Sequence, residues 1–286
     1  MAAHTPQARR GRRGGGRARG RDGLSALPLR HAVALGLLQG PTELLPVSSS
    51  GHVALVPSLL GWPYHGLDAE LRKSFEVALH AGTAAALLIV LRGEVADVAR
   101  TLTLRRVAHI AASFAPAALI GLTLERPIEQ RLGGRRSIAR AQIVAGTALM
   151  LADRVPTRRD ASTARALDHL LIGIGQAAAL APGVSRNGAT LTVARLRGFR
   201  RPDASRLSRR AALPVIVGAT ALKGARLSRR GLPAPVAAAF AAGAAASFAS
   251  TLLAAPLVAR ADRAPSYAPF AAYRVALGAV SLIAAR

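Results

Sequence analysis

Cysteine is absent from the chain, which excludes a disulfide framework, a thiolate metal site and a thiol nucleophile. Aromatic residues amount to 3%, too few to supply stacking platforms for nucleic-acid bases. Acidic residues are scarce too, with 14 Asp and Glu against 39 Lys and Arg. In a soluble chain the net charge of +25 would point to nucleic acid. Here only 19% of the 286 residues are charged and 51% are hydrophobic, with a mean hydropathy of +0.29. That is too apolar for an ordinary soluble protein. The arginines stand between apolar runs, where they flank spans and face lipid headgroups. Membrane lipids are therefore the expected surroundings, and no nucleic-acid partner is expected.

What remains divides into a tail and a membrane domain. Residues 1–23 are Arg/Gly-rich with almost no apolar surface, and are expected to be a disordered basic tail. Residues 24–286 hold the apolar sequence. The run after Arg30 is broken by Gly40-Pro41, so a signal peptide fits poorly. Full spans are expected near 75–92, 107–124, 138–153, 211–223, 233–256 and 268–285. Residues 29–62 and 167–199 read differently: two short apolar runs flank a polar Gly/Pro/Ser break. Each is expected to be a re-entrant hairpin that enters the membrane and returns to the same side.

Together these predict an all-α, polytopic integral membrane protein. A hairpin plus three spans occurs twice, with repeat one over about 24–155 and repeat two over about 165–286. Because three is odd, the second hairpin would enter from the opposite face, the inverted-repeat arrangement that places sites at broken helices. Lysines and arginines divide almost evenly between the two faces, so the sequence leaves the orientation open.

The chemistry is concentrated in the two breaks. Gln39 and Glu43 are spaced i, i+4 and share a helix face. A carboxylate beside an amide oxygen suits Mg²⁺ or Ca²⁺, with phosphate oxygens completing the shell. After Pro46, the residues Ser48, Ser49, Ser50 and Gly51 open a second helix, whose amides and dipole form an anion seat. His52 follows Ser49 by three residues, within reach to act as its base or to activate water. In the second break, Pro182-Gly183 leads into Ser185, Arg186, Asn187, Gly188 and Thr190. Arg186 offers a planar fork for phosphate. Cation site, anion cradle, guanidinium, hydroxyl and base together suit phosphoryl transfer. Each residue alone also has a structural explanation: an ion pair for Glu43, helix caps for the serines, a buried hydrogen bond for His52. Glu76 and His80 lie on an apolar span and could line the cavity or simply pack.

At these residues the chain resembles the undecaprenyl-diphosphatase (bacitracin-resistance) family of bacterial membrane proteins. The likeness runs from about Leu24 to Arg286. It is carried by Gln39 to His52, by Ser74 to Val77, and by Pro182 to Thr190 followed by Leu213-Pro214 and Gly218 to Thr220. The resemblance implies hydrolysis of undecaprenyl diphosphate to the monophosphate carrier of cell-wall synthesis, a metal-dependent site facing the outer side of the cytoplasmic membrane, and some insensitivity to bacitracin. Position by position, it implies a metal site at Gln39 and Glu43, and catalytic roles for Glu43, Ser49, His52 and Arg186. Ser48, Ser50, Gly51, Ser185, Asn187, Gly188 and Thr190 are implied to bind the substrate.

Three departures stand out: Gln39 where many relatives have Glu, Asn187 for a more usual serine, and Arg209-Arg210 in a region that is usually apolar. The last of these puts the start of that span in question. The other integral lipid-phosphatase signature, Ser-Arg with a downstream histidine and aspartate, fails here because Thr192 and Leu196 occupy those places. The rival function is a flippase for the lipid monophosphate, since broken helices in inverted repeats serve transport as well. A homodimer is compatible with the sequence and is not decided by it.

Overall fold

The computed structural model describes residues 27–230 and 234–285; the expected basic tail over 1–23 lies outside them. Among the described residues there are eleven α-helices and two short 3-10 turns, and no strand beyond the isolated bridge between Arg159 and Phe199. The helices are α1 Leu29–Leu44, α2 Ser49–Leu59, α3 Ala69–Val90, α4 Arg92–Arg100, α5 Leu104–Leu132, α6 Arg135–Asp153, α7 Ala166–Ala178, α8 Arg186–Leu196, α9 Arg201–Arg230, α10 Ala234–Asp262 and α11 Ala268–Ala284.

Three segments, Ala69–Val90, Leu104–Leu132 and Val236–Asp262, are long and apolar enough to cross a bilayer, which marks the chain as a membrane protein. Each of the six expected spans falls within or along one long helix: α3, α5, α6, α9, α10 and α11. The two regions expected to be hairpins each fold as a pair of short helices, α1–α2 and α7–α8.

Close backbone approach holds the bundle together. α1 lies along α10, and a Cβ added at Gly36 would come 2.3 Å from the Gly243 carbonyl, one at Gly40 2.4 Å from the Thr251 amide. This is the small-residue spacing that lets helices meet without a solvent-driven hydrophobic effect. α7 lies along α5 in the same manner, with Gly173 against the Ala112 carbonyl. α6 crosses α11 where Gly146 faces Ala271 and Gly278 faces Ala139. Buried hydroxyls add hydrogen bonds across α3 and α10, as from Thr83 to Ser247 at 2.7 Å.

The question over Arg209-Arg210 is settled by α9, which starts at Arg201 and runs through both residues. Arg209 reaches Glu94 of α4 at 2.9 Å and Asp262 of α10 at 2.8 Å. Its charge ties three helices together instead of breaking one. Nearby, Asp153 accepts from Arg195 at 3.1 Å and Arg201 at 2.7 Å, and Asp168 accepts from Arg159 and Arg197, both at 2.7 Å.

Candidate active site

The two hairpin breaks share one local geometry. Pro46 forces the end of α1, because the residue before a proline is driven out of the helical region. The chain then turns at Ser48, φ 76° and ψ 97°. The second break turns at Ser185, φ 69° and ψ 116°. Among the described residues, these two serines are the only non-glycine positions with positive φ. Such a backbone is held only where its surroundings over-determine it, and it concentrates at functional sites. Each serine caps the helix it opens: the Ser48 hydroxyl accepts from the Gly51 amide at 3.3 Å and the Ser185 hydroxyl from the Gly188 amide at 3.1 Å.

Two side chains from the long helices over-determine these turns. Gln142 of α6 donates to the Val47 carbonyl at 3.1 Å. Arg274 of α11 donates to the carbonyls of Gly183 at 3.0 Å and Val184 at 2.7 Å. The two clamps also meet each other, Arg274 Nε donating to Gln142 Oε1 at 2.9 Å. The room they need explains both glycines after the caps. A Cβ at Gly51 would lie 2.3 Å from Gln142 Nε2, and one at Gly188 2.5 Å from Arg274 Nη1.

The tips then converge. Arg186 donates to Glu43 Oε1 at 2.9 Å, across the two breaks. The Ser49 hydroxyl donates to the other carboxylate oxygen, Oε2. His80 Nε2 stands 3.9 Å from that same oxygen, so α3 contributes to the site as well. Asn187 donates to the Leu44 carbonyl at 2.9 Å, and Ser50 accepts from the Gly183 amide at 3.3 Å. Glu43 therefore sits at the junction with only 12% of its side chain exposed.

Not every expected partner faces the carboxylate. The structure gives Ser49 a bond to Glu43 in place of the anticipated bond to His52. His52 is buried, with Nδ1 at 2.7 Å from the Ser48 carbonyl and Nε2 at 2.7 Å from the Tyr273 hydroxyl. Since a carbonyl can only accept, Nδ1 carries a proton, and in the neutral ring Nε2 accepts from Tyr273. Thr190 is fully buried, bonded to Ser208 at 2.6 Å, and Ser208 donates to Asn187 Oδ1 at 3.0 Å. The Thr190 hydroxyl also lies 2.9 Å from the Arg186 carbonyl, so its link to the site runs through the first turn of α8. Gln39 is fully buried, and both its amide oxygen and nitrogen lack a hydrogen-bond partner.

Sequence reasoning missed Gln142, Tyr273, Arg274 and Ser208, and gave His80 no firm place. The available signal was a lone charged or amide group inside an apolar helix, as at Gln142 and Arg274, since such groups in a bilayer face the bundle interior and serve function. Glu76 accepts from Tyr64 at 3.3 Å and lines a cleft of about 640 Å³ that reaches Ser50 and Pro182.

These features define a class: an all-α membrane protein with a charge-paired polar site where two broken helix pairs meet. The family model described as "Bacitracin resistance protein BacA" matches residues 32–280, and the chain belongs to that family. Its relatives include proteins named undecaprenyl-diphosphatase. That of Geobacter sulfurreducens is 40% identical over 90% of this chain and 98% of its own length. Those of Pelobacter propionicus and Chromohalobacter salexigens are each 38% identical, over 87% and 88% of this chain and 94% and 97% of theirs.

Proposed function

We propose that the chain hydrolyses undecaprenyl diphosphate to undecaprenyl phosphate and inorganic phosphate, as an integral protein of the bacterial cytoplasmic membrane. The observation that carries this reading is the Ser49–Glu43–Arg186 contact across the two breaks. A hydroxyl that donates to a carboxylate is a nucleophile with a proton acceptor in place. A guanidinium fork beside it is a phosphate clamp.

In this mechanism Glu43 takes the Ser49 proton as Oγ attacks the terminal phosphorus. The new Ser–O–P bond forms as the anhydride P–O bond breaks, and undecaprenyl phosphate leaves. Water then attacks the phosphoserine; Glu43 returns its proton to the departing Ser49 Oγ, and both hydrogens of the water leave on the inorganic phosphate. Arg186 and the first-turn amides of α2 and α8 balance the charge on the phosphate oxygens. Displacing Arg186 from Glu43 to a phosphate oxygen frees the carboxylate to act as base. His52, engaged on both nitrogens, holds the Ser48 turn and Tyr273 in register. Ser48 and Ser185 fix the two turns, Gly51 and Gly188 let the clamps approach, and Asn187 joins the tips.

The family resemblance also implies a divalent cation. Among the described residues no group of three His, Asp or Glu side chains could hold one, so an all-protein cage does not fit. A site made by Glu43 and Gln39 and completed by substrate phosphates does fit. It is the manner in which Mg²⁺ is usually bound, and the buried Gln39 amide oxygen, a hard oxygen ligand, has no hydrogen-bond partner. A cation there would neutralise charge on the phosphate oxygens.

An inverted repeat supports the convergence. Gln39 and Gln176, and Gly36 and Gly173, precede their capping serines by the same spacing. α1 on α10 corresponds to α7 on α5, and the Gln142 clamp to the Arg274 clamp. With six crossing helices, repeat one over about 24–155 and repeat two over about 165–286, the hairpins enter from opposite faces.

The test is phosphate release from undecaprenyl diphosphate by purified protein with Mg²⁺, compared with Glu43→Gln, Ser49→Ala and Arg186→Ala. Release by the wild type and loss in all three variants is expected. Lipid monophosphate crossing vesicle membranes with no phosphate released would instead make the chain a flippase.

A further inference from the structure

We infer that the gap between α3 and the last three turns of α5 is a lateral portal, latched by Lys73 against Glu125 and Glu129, through which the diphosphate headgroup of the substrate enters from the bilayer while its prenyl chain trails along the apolar outer face of α5. The inference rests on the diphosphatase reading and names the route that reading requires. A headgroup tethered to a long hydrocarbon cannot reach a site at bilayer depth from water alone, because its tail must stay among apolar groups.

The cleft of about 640 Å³ is large enough for a diphosphate headgroup. It reaches Ser50 and Pro182 at the hairpin tips, and its opposite walls are α3, through Lys73 and Glu76, and α5, through Glu125 and Glu129. Among the described residues α3 packs mainly on α10 and α9, and α5 mainly on α7 and α9, rather than on each other. Lys73 bridges them, paired with Glu129 and, at 3.6 Å, with Glu125.

The α5 wall is built to move. Its buried residues, Ser113 and Ala117, lie in the half that packs on α7, and every residue from 122 to 132 is exposed or half-buried. Pro127 removes a backbone hydrogen bond inside this stretch, a recognised cause of helix bending, and Gly133-Gly134 follow before α6 begins. Leu119 and Leu122 are 63% and 70% exposed, so an apolar surface for a hydrocarbon adjoins the ion-paired mouth. An ion pair near the surface contributes little stability. The latch can open at small cost.

The cysteine-free sequence allows a clean test in the full chain. Lys73→Cys with Glu129→Cys is joined by a short bis-methanethiosulfonate cross-linker in vesicles, and phosphate release is measured from undecaprenyl diphosphate in the bilayer and from farnesyl diphosphate added in water. The variant before cross-linking sets the reference rate for each. Cross-linking is expected to slow the long-chain substrate about tenfold or more while farnesyl diphosphate is spared, and reductant is expected to restore the rate. Equal rates before and after cross-linking would overturn the portal, as would equal loss on both substrates. Loss of both in the uncross-linked variant, with the wild type active, would make the pair part of the site and also overturn it. A wild type inactive on both substrates would count against the diphosphatase reading itself.

Discussion

Ser49, with its hydroxyl on Glu43, is the residue whose loss should fall on turnover rather than on binding. Ser49→Ala is expected to lower kcat by about 10²- to 10⁴-fold with KM little changed, the range spanned by a positioned acid–base or nucleophile pair. Steady-state phosphate release measures it; a raised KM with kcat intact would assign Ser49 to binding. Gln39 offers a second check. Gln39→Glu adds a carboxylate one helical turn from Glu43 and should lower the Mg²⁺ concentration giving half-maximal activity, whereas an unchanged Mg²⁺ titration would remove Gln39 from the metal site. EDTA should abolish activity in both proteins and Mg²⁺ should restore it. At this scale the sequence revealed the residue types but not their pairing. Spacing placed His52 near Ser49, yet the ring points toward Tyr273 and the hydroxyl toward Glu43. Both residues lie on α2, so the outcome is decided by the partners that α1 and α11 bring to them, Glu43 and Tyr273, and no local sequence rule supplies those partners.

The helix breaks were legible as elements. Gly, Pro and Ser clustered inside apolar sequence have few explanations in a bilayer other than re-entry or a cavity. Their clamps were harder to see, because Gln142 and Arg274 each look like one polar residue in a span. The glycines opposite them give the test. Gly51→Ala or Gly188→Ala should cost about 1–3 kcal/mol, the usual penalty of overpacking, and should reduce activity with it. Gly66→Ala, where an added Cβ meets nothing within 4 Å, is the control and should melt with the wild type. Equal melting temperatures for all four proteins would show that the clamps do not hold the turns.

For the whole molecule, the order of helices followed from counting spans, whereas the packing that unites them did not. α1 pairs with α10 and α7 with α5, contacts between distant parts of the chain that small residues permit but do not announce. Arg209 shows the limit well: in sequence it looks like an interruption, and in the fold it is a tie between α4, α9 and α10. Glu94→Gln with Asp262→Asn should therefore lower the melting temperature in detergent, since Arg209 would be left without a counter-charge; an unchanged melting temperature would make the tie incidental.

Glu43 and Arg186 work as one unit supplied by two halves of the chain. A double-mutant cycle on kcat/KM for undecaprenyl diphosphate, with Glu43→Gln, Arg186→Ala and both together, measures that coupling directly. The double variant should be no slower than the slower single variant. Losses that simply multiply would mean that the two residues act independently, and the shared site would be contradicted.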